Sequence, residues 1–251
     1  MKTPARATAA AVRGTLRQFA SPARAIGTAR FFKCGPGEYG AGDRFIGVTV
    51  PQQRLVAKQF RTLPLAQVDV LLTSKIHEER LTGHLILVDQ FVRSAEPAGR
   101  SRIVRLYLKR LPHVNNWDLV DTSADPIIGG WLLDKPRSLL DRLARSTHLW
   151  SRRVAIIATF RFIKHGDSRD TLRIARQLLH AEHDLIHKAV GWMLREVGKR
   201  VSVADLRGFL SRHAHEMPRT MLRYAIEHLS AGERARWLAV KETAGRRQKL
   251  A

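Results

Sequence analysis

Leu149-Trp150-Ser151-Arg152-Arg153-Val154-Ala155-Ile156-Ile157 returns 35 residues later as Asp184-Leu185-Ile186-His187-Lys188-Ala189-Val190-Gly191-Trp192. Met217-Pro218-Arg219-Thr220-Met221-Leu222-Arg223-Tyr224-Ala225-Ile226 repeats the theme 33 to 35 residues further on. A period of that length is that of a two-helix unit. One pair of helices cannot bury its own apolar face, so pairs stack. The expected fold is therefore all-α, a right-handed solenoid of paired helices whose concave face is basic.

Outward from this repeat the helical pattern continues. Val50-Pro51 opens a helix with proline in its first turn. Pro64 restarts a second that carries Leu65, Val68, Leu71 and Leu72. A longer one spans His77 to Val92, with Leu81, Leu85, Val88 and Val92 on one stripe, and Ile103, Leu106, Tyr107 and Leu111 extend the pattern to Pro112. Proline and glycine punctuate the chain at intervals that suit helices of ordinary length. No stretch shows the alternation of a strand, and no βαβ signature appears.

The 251 residues include 44 Lys and Arg against 22 Asp and Glu, a formal net charge of +22. Such an excess favours phosphate contacts. The 44% apolar content suffices for a large core, and no apolar run approaches bilayer length. A single cysteine, Cys34, excludes an internal disulfide framework and reads as an inert loop thiol in a reducing compartment. The first 37 residues hold no acid but contain Lys2, Arg6, Arg13, Arg17, Arg24, Arg30 and Lys33. Organellar transit peptides share that composition, whereas a secretory apolar segment is absent. We read residues 1–24 as a flexible basic arm, 25–235 as a single domain with a Gly-rich lead-in, and 236–251 as a basic tail ending in Gly245-Arg246-Arg247-Gln248-Lys249. A cytoplasmic, nucleoid-associated monomer is expected, organellar targeting being the other reading of the basic N-terminus.

Two places carry the chemistry. From Leu185 to Arg200, Ile186, Ala189, Val190, Met193 and Val197 form the apolar stripe, while Lys188, Trp192, Arg195 and Lys199 share the opposite face. An indole on a cationic face needs cover. A base or sugar could stack on it, or the next helix could pack against it. Trp117 and Asp121 are likewise four residues apart, in a helix that Asn115 or Asn116 can cap. Asp121 reads either as an ordinary solvated acid or as a functional one, since a carboxylate on a DNA-facing surface repels phosphate. Arg152-Arg153 opens a helix to Lys164, with Arg153, Arg161 and Lys164 near one face, suited to phosphate clamping. His180, His183 and His187 lack a fourth ligand for zinc. No HExxH, Walker A, GxGxxG or nucleophile elbow is present. No metal or cofactor is expected.

At these residues the sequence resembles the AlkD-like DNA alkylation repair family, from about Arg30 to Leu229. The matching pieces are Phe31-Phe32-Lys33, Phe45-Ile46-Gly47-Val48-Thr49-Val50-Pro51, Glu78-Glu79-Arg80-Leu81, Trp117-Asp118-Leu119-Val120-Asp121, Arg152-Arg153-Val154-Ala155-Ile156 and Lys188-Ala189-Val190-Gly191-Trp192-Met193-Leu194-Arg195-Glu196. The resemblance implies HEAT/ARM-like repeats. It also implies a DNA glycosylase that excises positively charged N3- and N7-alkylated purines from duplex DNA without metal or cofactor. It places Asp121, Trp117 and Trp192 at the lesion and Arg153 and Arg195 on phosphates. It relates Phe31 to an N-terminal aromatic of the family, although this chain carries a longer Gly-rich segment, Cys34 to Asp43, behind it. Lys188, Lys199 and Arg152 are further expected DNA contacts. In that mechanism Asp121 stabilises the oxocarbenium-like sugar and orients water, helped by Arg153 or Arg195, and the indoles favour a cationic base. The alternative is a non-catalytic HEAT-repeat protein that binds damaged, bent or branched DNA without needing Asp121.

Overall fold

The computed structural model describes residues 7–249, with side chains as far as residue 240. Lys2 and Arg6, and the side chains of the basic run 245–249, lie outside the described residues. The fold is all-α, and no strand forms among the described residues; one isolated bridge joins Arg44 and Ile76. We expected one domain over 25–235; the chain's internal contacts instead form two compact units, dividing after Ile127.

The first unit contains α1 (Ala9–Gln18), α2 (Pro22–Phe31), α3 (Val50–Gln59), α4 (Leu65–Leu72), α5 (His77–Arg93), α6 (Pro97–Arg110) and the short α7 (Trp117–Asp121). Its centre is α5, packed by α1, α3, α4, α6 and α7. Each start has a local cause. Thr8 and Ser21 accept hydrogen bonds from the first turns of α1 and α2, Thr49 and Gln52 form a capping box on α3, and Asn116 caps α7. The arm expected over 1–24 is corrected by α1, whose Val12 and Leu16 are fully buried. Those two apolar residues, one helical turn apart, dock a segment that its charge alone would leave in solvent. Val92, expected on the apolar stripe of α5, is exposed, whereas Leu81 and Leu85 are buried.

The second unit contains α8 (Ser138–Ala144), α9 (Leu149–Ala158), α10 (Phe160–Ile163), α11 (Arg169–Gln177), α12 (Asp184–Arg200), α13 (Val203–His213), α14 (Arg219–Ala225) and α15 (Ala231–Lys249). The helices α9, α12 and α14 begin 35 residues apart, and α12 packs on both others. Ile186, Ala189, Val190, Met193 and Val197 of α12 are all buried, as their spacing requires. The helix expected from Ser151 to Lys164 is broken at Thr159, whose hydroxyl bonds back to the Ile156 carbonyl. The tail expected from 236 continues the helix α15.

Gly191 lets α12 and α14 approach. A Cβ there would lie 2.5 Å from the Met221 carbonyl oxygen and 2.5 Å from Tyr224 Cβ. Gly191→Ala is therefore expected to destabilise the protein by about 1–3 kcal/mol, because backbone must shift to relieve the overlap. Urea titration checks this, and an unchanged midpoint would contradict the close packing.

Candidate functional site

The start of α5 is polar and yet buried: His77, Glu78, Glu79 and Arg80 are each at most 4% exposed. Buried charges need partners, and every one has them. Glu78 accepts the backbone N–H groups of Ile46, Gly47 and Val48 at 2.7–3.3 Å. Gly47 is required there by a φ of +76° and by the Ser21 carbonyl oxygen, which a Cβ would approach to 2.2 Å. Glu79 accepts from Arg13 and from Ser74, each at 2.7 Å. Arg80 donates to the Ser74 carbonyl, Asp43 and Asn115.

His77 lies between two carboxylates, with Nδ1 2.9 Å from Asp43 and Nε2 2.8 Å from Asp118. Burial by itself would lower its pKa. The hydrogen bonds and charges of Asp118, then Asp43, overcome this and raise the ring to about 9. The imidazole is therefore a cation at neutral pH, donating from both nitrogens. Asp43 is held below the usual carboxylate range, burial being outweighed by His77 and Arg80. This network ties the Gly-rich segment, α5 and the first residues of α7 together.

Above it opens a cavity of about 510 Å³ whose walls include Phe31, Phe32, Phe45, Leu81, Trp117 and Asp121. The Trp117 ring centroid is 5.9 Å from Phe31, nearly edge-on, and 5.4 Å from Phe32. Phe32 stacks on Phe45 at 5.5 Å, and Phe45 on His77 at 4.8 Å. Phe31 is 64% exposed, an unusual state for a ring of that size unless something else covers it. Asp121 is half-buried one helical turn beyond Trp117. Aromatic faces beside a carboxylate suit a flat cationic ring: the quadrupoles attract the charge and the carboxylate complements it. The sequence-predicted Phe31, Trp117 and Asp121 thus share one cavity.

The remaining candidates lie in the second unit. Trp192 is half-exposed on α12, its ring 6.1 Å from Phe160. Lys188 is ion-paired with Asp184 at 2.8 Å, and Arg195 with Glu227 and Glu196. Lys199 is exposed and Arg152 half-buried. Arg153 departs from the open cationic face expected for it. It is only 5% exposed and donates to the Leu185 carbonyl, because α12 packs over that side of α9. Among the described residues no group of three or more His, Cys, Asp or Glu could hold a metal ion, and no helix is long and apolar enough to cross a membrane.

The sequence reading missed Asp43, His77 and Asp118. Burial raises the Tyr39 phenol above the ordinary range, against an opposing influence of Trp117. Cys34 nearby is half-buried, and burial, then Asp43 and Glu38, push its thiol up to about 11, which makes it a poor nucleophile. The one signal available was Asp43 and Tyr39 in a Gly-rich stretch that lacks any period.

The sequence matches the family model described as "DNA alkylation repair enzyme" over residues 12–229. A solved structure, a predicted DNA alkylation repair enzyme from Enterococcus faecalis, superposes with a TM-score of 0.70 at 16% identity. The match covers 84% of this chain and 97% of that one, and at this identity it speaks to the fold. No curated protein matches the chain.

Proposed function

The chain belongs to the DNA alkylation repair enzyme family, and from that premise we propose that it is a DNA glycosylase acting on N3- and N7-alkylated purines, 3-methyladenine and 7-methylguanine among them, in duplex DNA. The observation that supports this reading best is the pairing of Trp117 and Asp121, one turn apart, in an aromatic cavity.

Alkylation at N3 or N7 makes the purine a cation. When the C1′–N bond breaks, its electron pair stays with the base, which leaves neutral and needs no general acid. Positive charge then develops on the sugar ring oxygen and C1′. The Asp121 carboxylate stabilises that charge and positions water. The water oxygen bonds to C1′, its proton passes to Asp121 or solvent, and an abasic site and free base result. Trp117 and Phe31 pack on the cationic base, an attraction on the order of 1–2 kcal/mol over a neutral one. Trp192 offers an indole on which a base or sugar of the DNA stacks. Lys188, Lys199, Arg152 and Arg195 contact the DNA backbone, the paired ones exchanging a carboxylate for a phosphate. Arg153 braces the start of α12 through Leu185.

The deciding experiment incubates the protein with N-methylated duplex DNA and separates the released bases by chromatography. Release of 7-methylguanine and 3-methyladenine is expected. Tight duplex binding with no base release would favour a non-catalytic DNA-binding protein instead.

A further inference from the structure

A second cavity, of about 720 Å³, lies wholly within the second unit. Its lining comes from three helices. Arg145 caps α8, Leu172, Arg173, Arg176 and Gln177 belong to α11, and Phe209, Arg212 and His213 belong to α13. None of the residues assigned above to the lesion or to the backbone contacts lines it.

The charges here fall into two groups. Arg173 is held by Asp141 and Asp170, Gln177 also bonds Asp141, and His213 bonds Glu216 at 2.6 Å. These fix the walls. The guanidinium groups of Arg176 and Arg212, both exposed residues, make no hydrogen bond or ion pair among the described residues. Arg145 is exposed as well, within Coulomb reach of Asp141. Each of the three helices therefore contributes one exposed guanidinium to a single groove, whose floor is the apolar Leu172 and Phe209. Guanidinium forks match phosphate oxygens in pairs, and an apolar floor accepts the face of a sugar.

We propose that this groove is a second, sequence-blind seat for the sugar–phosphate backbone of duplex DNA. A repeated monoanion, strung along a backbone, fits guanidiniums distributed over three helices better than a single isolated anion does. The second unit would then contact DNA through a set of residues separate from Lys188, Arg195 and Lys199.

The test uses the full chain and an unmodified 30-base-pair duplex, so it does not depend on base excision. The double variant Arg176→Glu/Arg212→Glu is compared with Arg102→Glu/Arg105→Glu, which changes the net charge equally at exposed positions on α6. We expect the groove variant to bind at least about tenfold more weakly at low salt and its log K against log[salt] slope to fall by about two. The control should lose clearly less, and base release at saturating duplex should keep its rate in both. A photo-crosslinking residue introduced at Gln177 should give a DNA adduct that the groove variant loses. Equal weakening in the control overturns the proposal. So does a crosslink that forms with polyglutamate and not with DNA, which would make the groove a seat for acidic peptide.

Discussion

Asp121→Asn is expected to reduce release of 7-methylguanine by two to three orders of magnitude while duplex affinity stays within about twofold of the parent. Asparagine keeps the shape and the hydrogen-bonding reach of the side chain and removes only the charge. The developing sugar cation loses its stabilising anion, and loss of one well-placed electrostatic group typically costs about 3–4 kcal/mol in the transition state. Ground-state binding rests mainly on phosphates and on the aromatic wall, and the lost attraction to the cationic base is offset by the lost repulsion of phosphate, so affinity should change little. Single-turnover release and equilibrium binding, measured on the same methylated duplex, separate the two quantities. Release at the parental rate would remove Asp121 from the mechanism. A parallel loss of binding would recast it as a structural residue.

The second large effect concerns His77. His77→Ala would leave Asp43 and Asp118 facing each other without the cation between them, both nearly inaccessible to water. Removing one partner of a buried charged set costs about 3–5 kcal/mol. The parent protein should also show the effect through pH. The folded pKa of His77, about 9, lies above the 6.5 of an unfolded chain, so its stabilisation is complete below pH 6.5. It is lost as the pH rises toward 9, by up to about 3 kcal/mol. Asp43 acts in the opposite direction: its lowered pKa stabilises above the ordinary carboxylate value and is lost in acid. Urea midpoints measured from pH 6.5 to 9 should therefore fall in the parent and stay nearly flat in His77→Ala. A parent whose midpoint does not move over that range would show that His77 is neutral between its carboxylates.

Periodicity made the second unit legible. The 35-residue spacing located α9, α12 and α14, and the stripe from Ile186 to Val197 identified the buried side of α12. The spacing of Trp117 and Asp121 put both on one side of α7, and both line one cavity. What stayed hidden depended on partners distant in sequence. Arg153 looks like a surface cation until α12 covers it. Val12 and Leu16 look like chance apolar residues in an arm until α3, α4 and α5 receive α1. His77-Glu78-Glu79-Arg80 reads as a solvated first turn, since acids there complement the helix dipole. Its burial follows from residues 31 to 41 positions away, Asp43, Ile46, Gly47, Asn115 and Asp118, whose pairing no local pattern announces.

The segment from Cys34 to Asp43 is fastened at two points, the Gly40 N–H to the Lys33 carbonyl at 3.1 Å and Asp43 to His77 and Arg80. Between those fastenings run only Ala41 and Gly42, and Gly40 is itself wedged against the Phe32 carbonyl oxygen, 2.7 Å from where a Cβ would sit. Length is consequently fixed inside the 40–43 span and free ahead of it, at Gly35 to Gly37. Over evolutionary time, lengthening of this loop should accumulate on the near side of Gly40 and be purged beyond it.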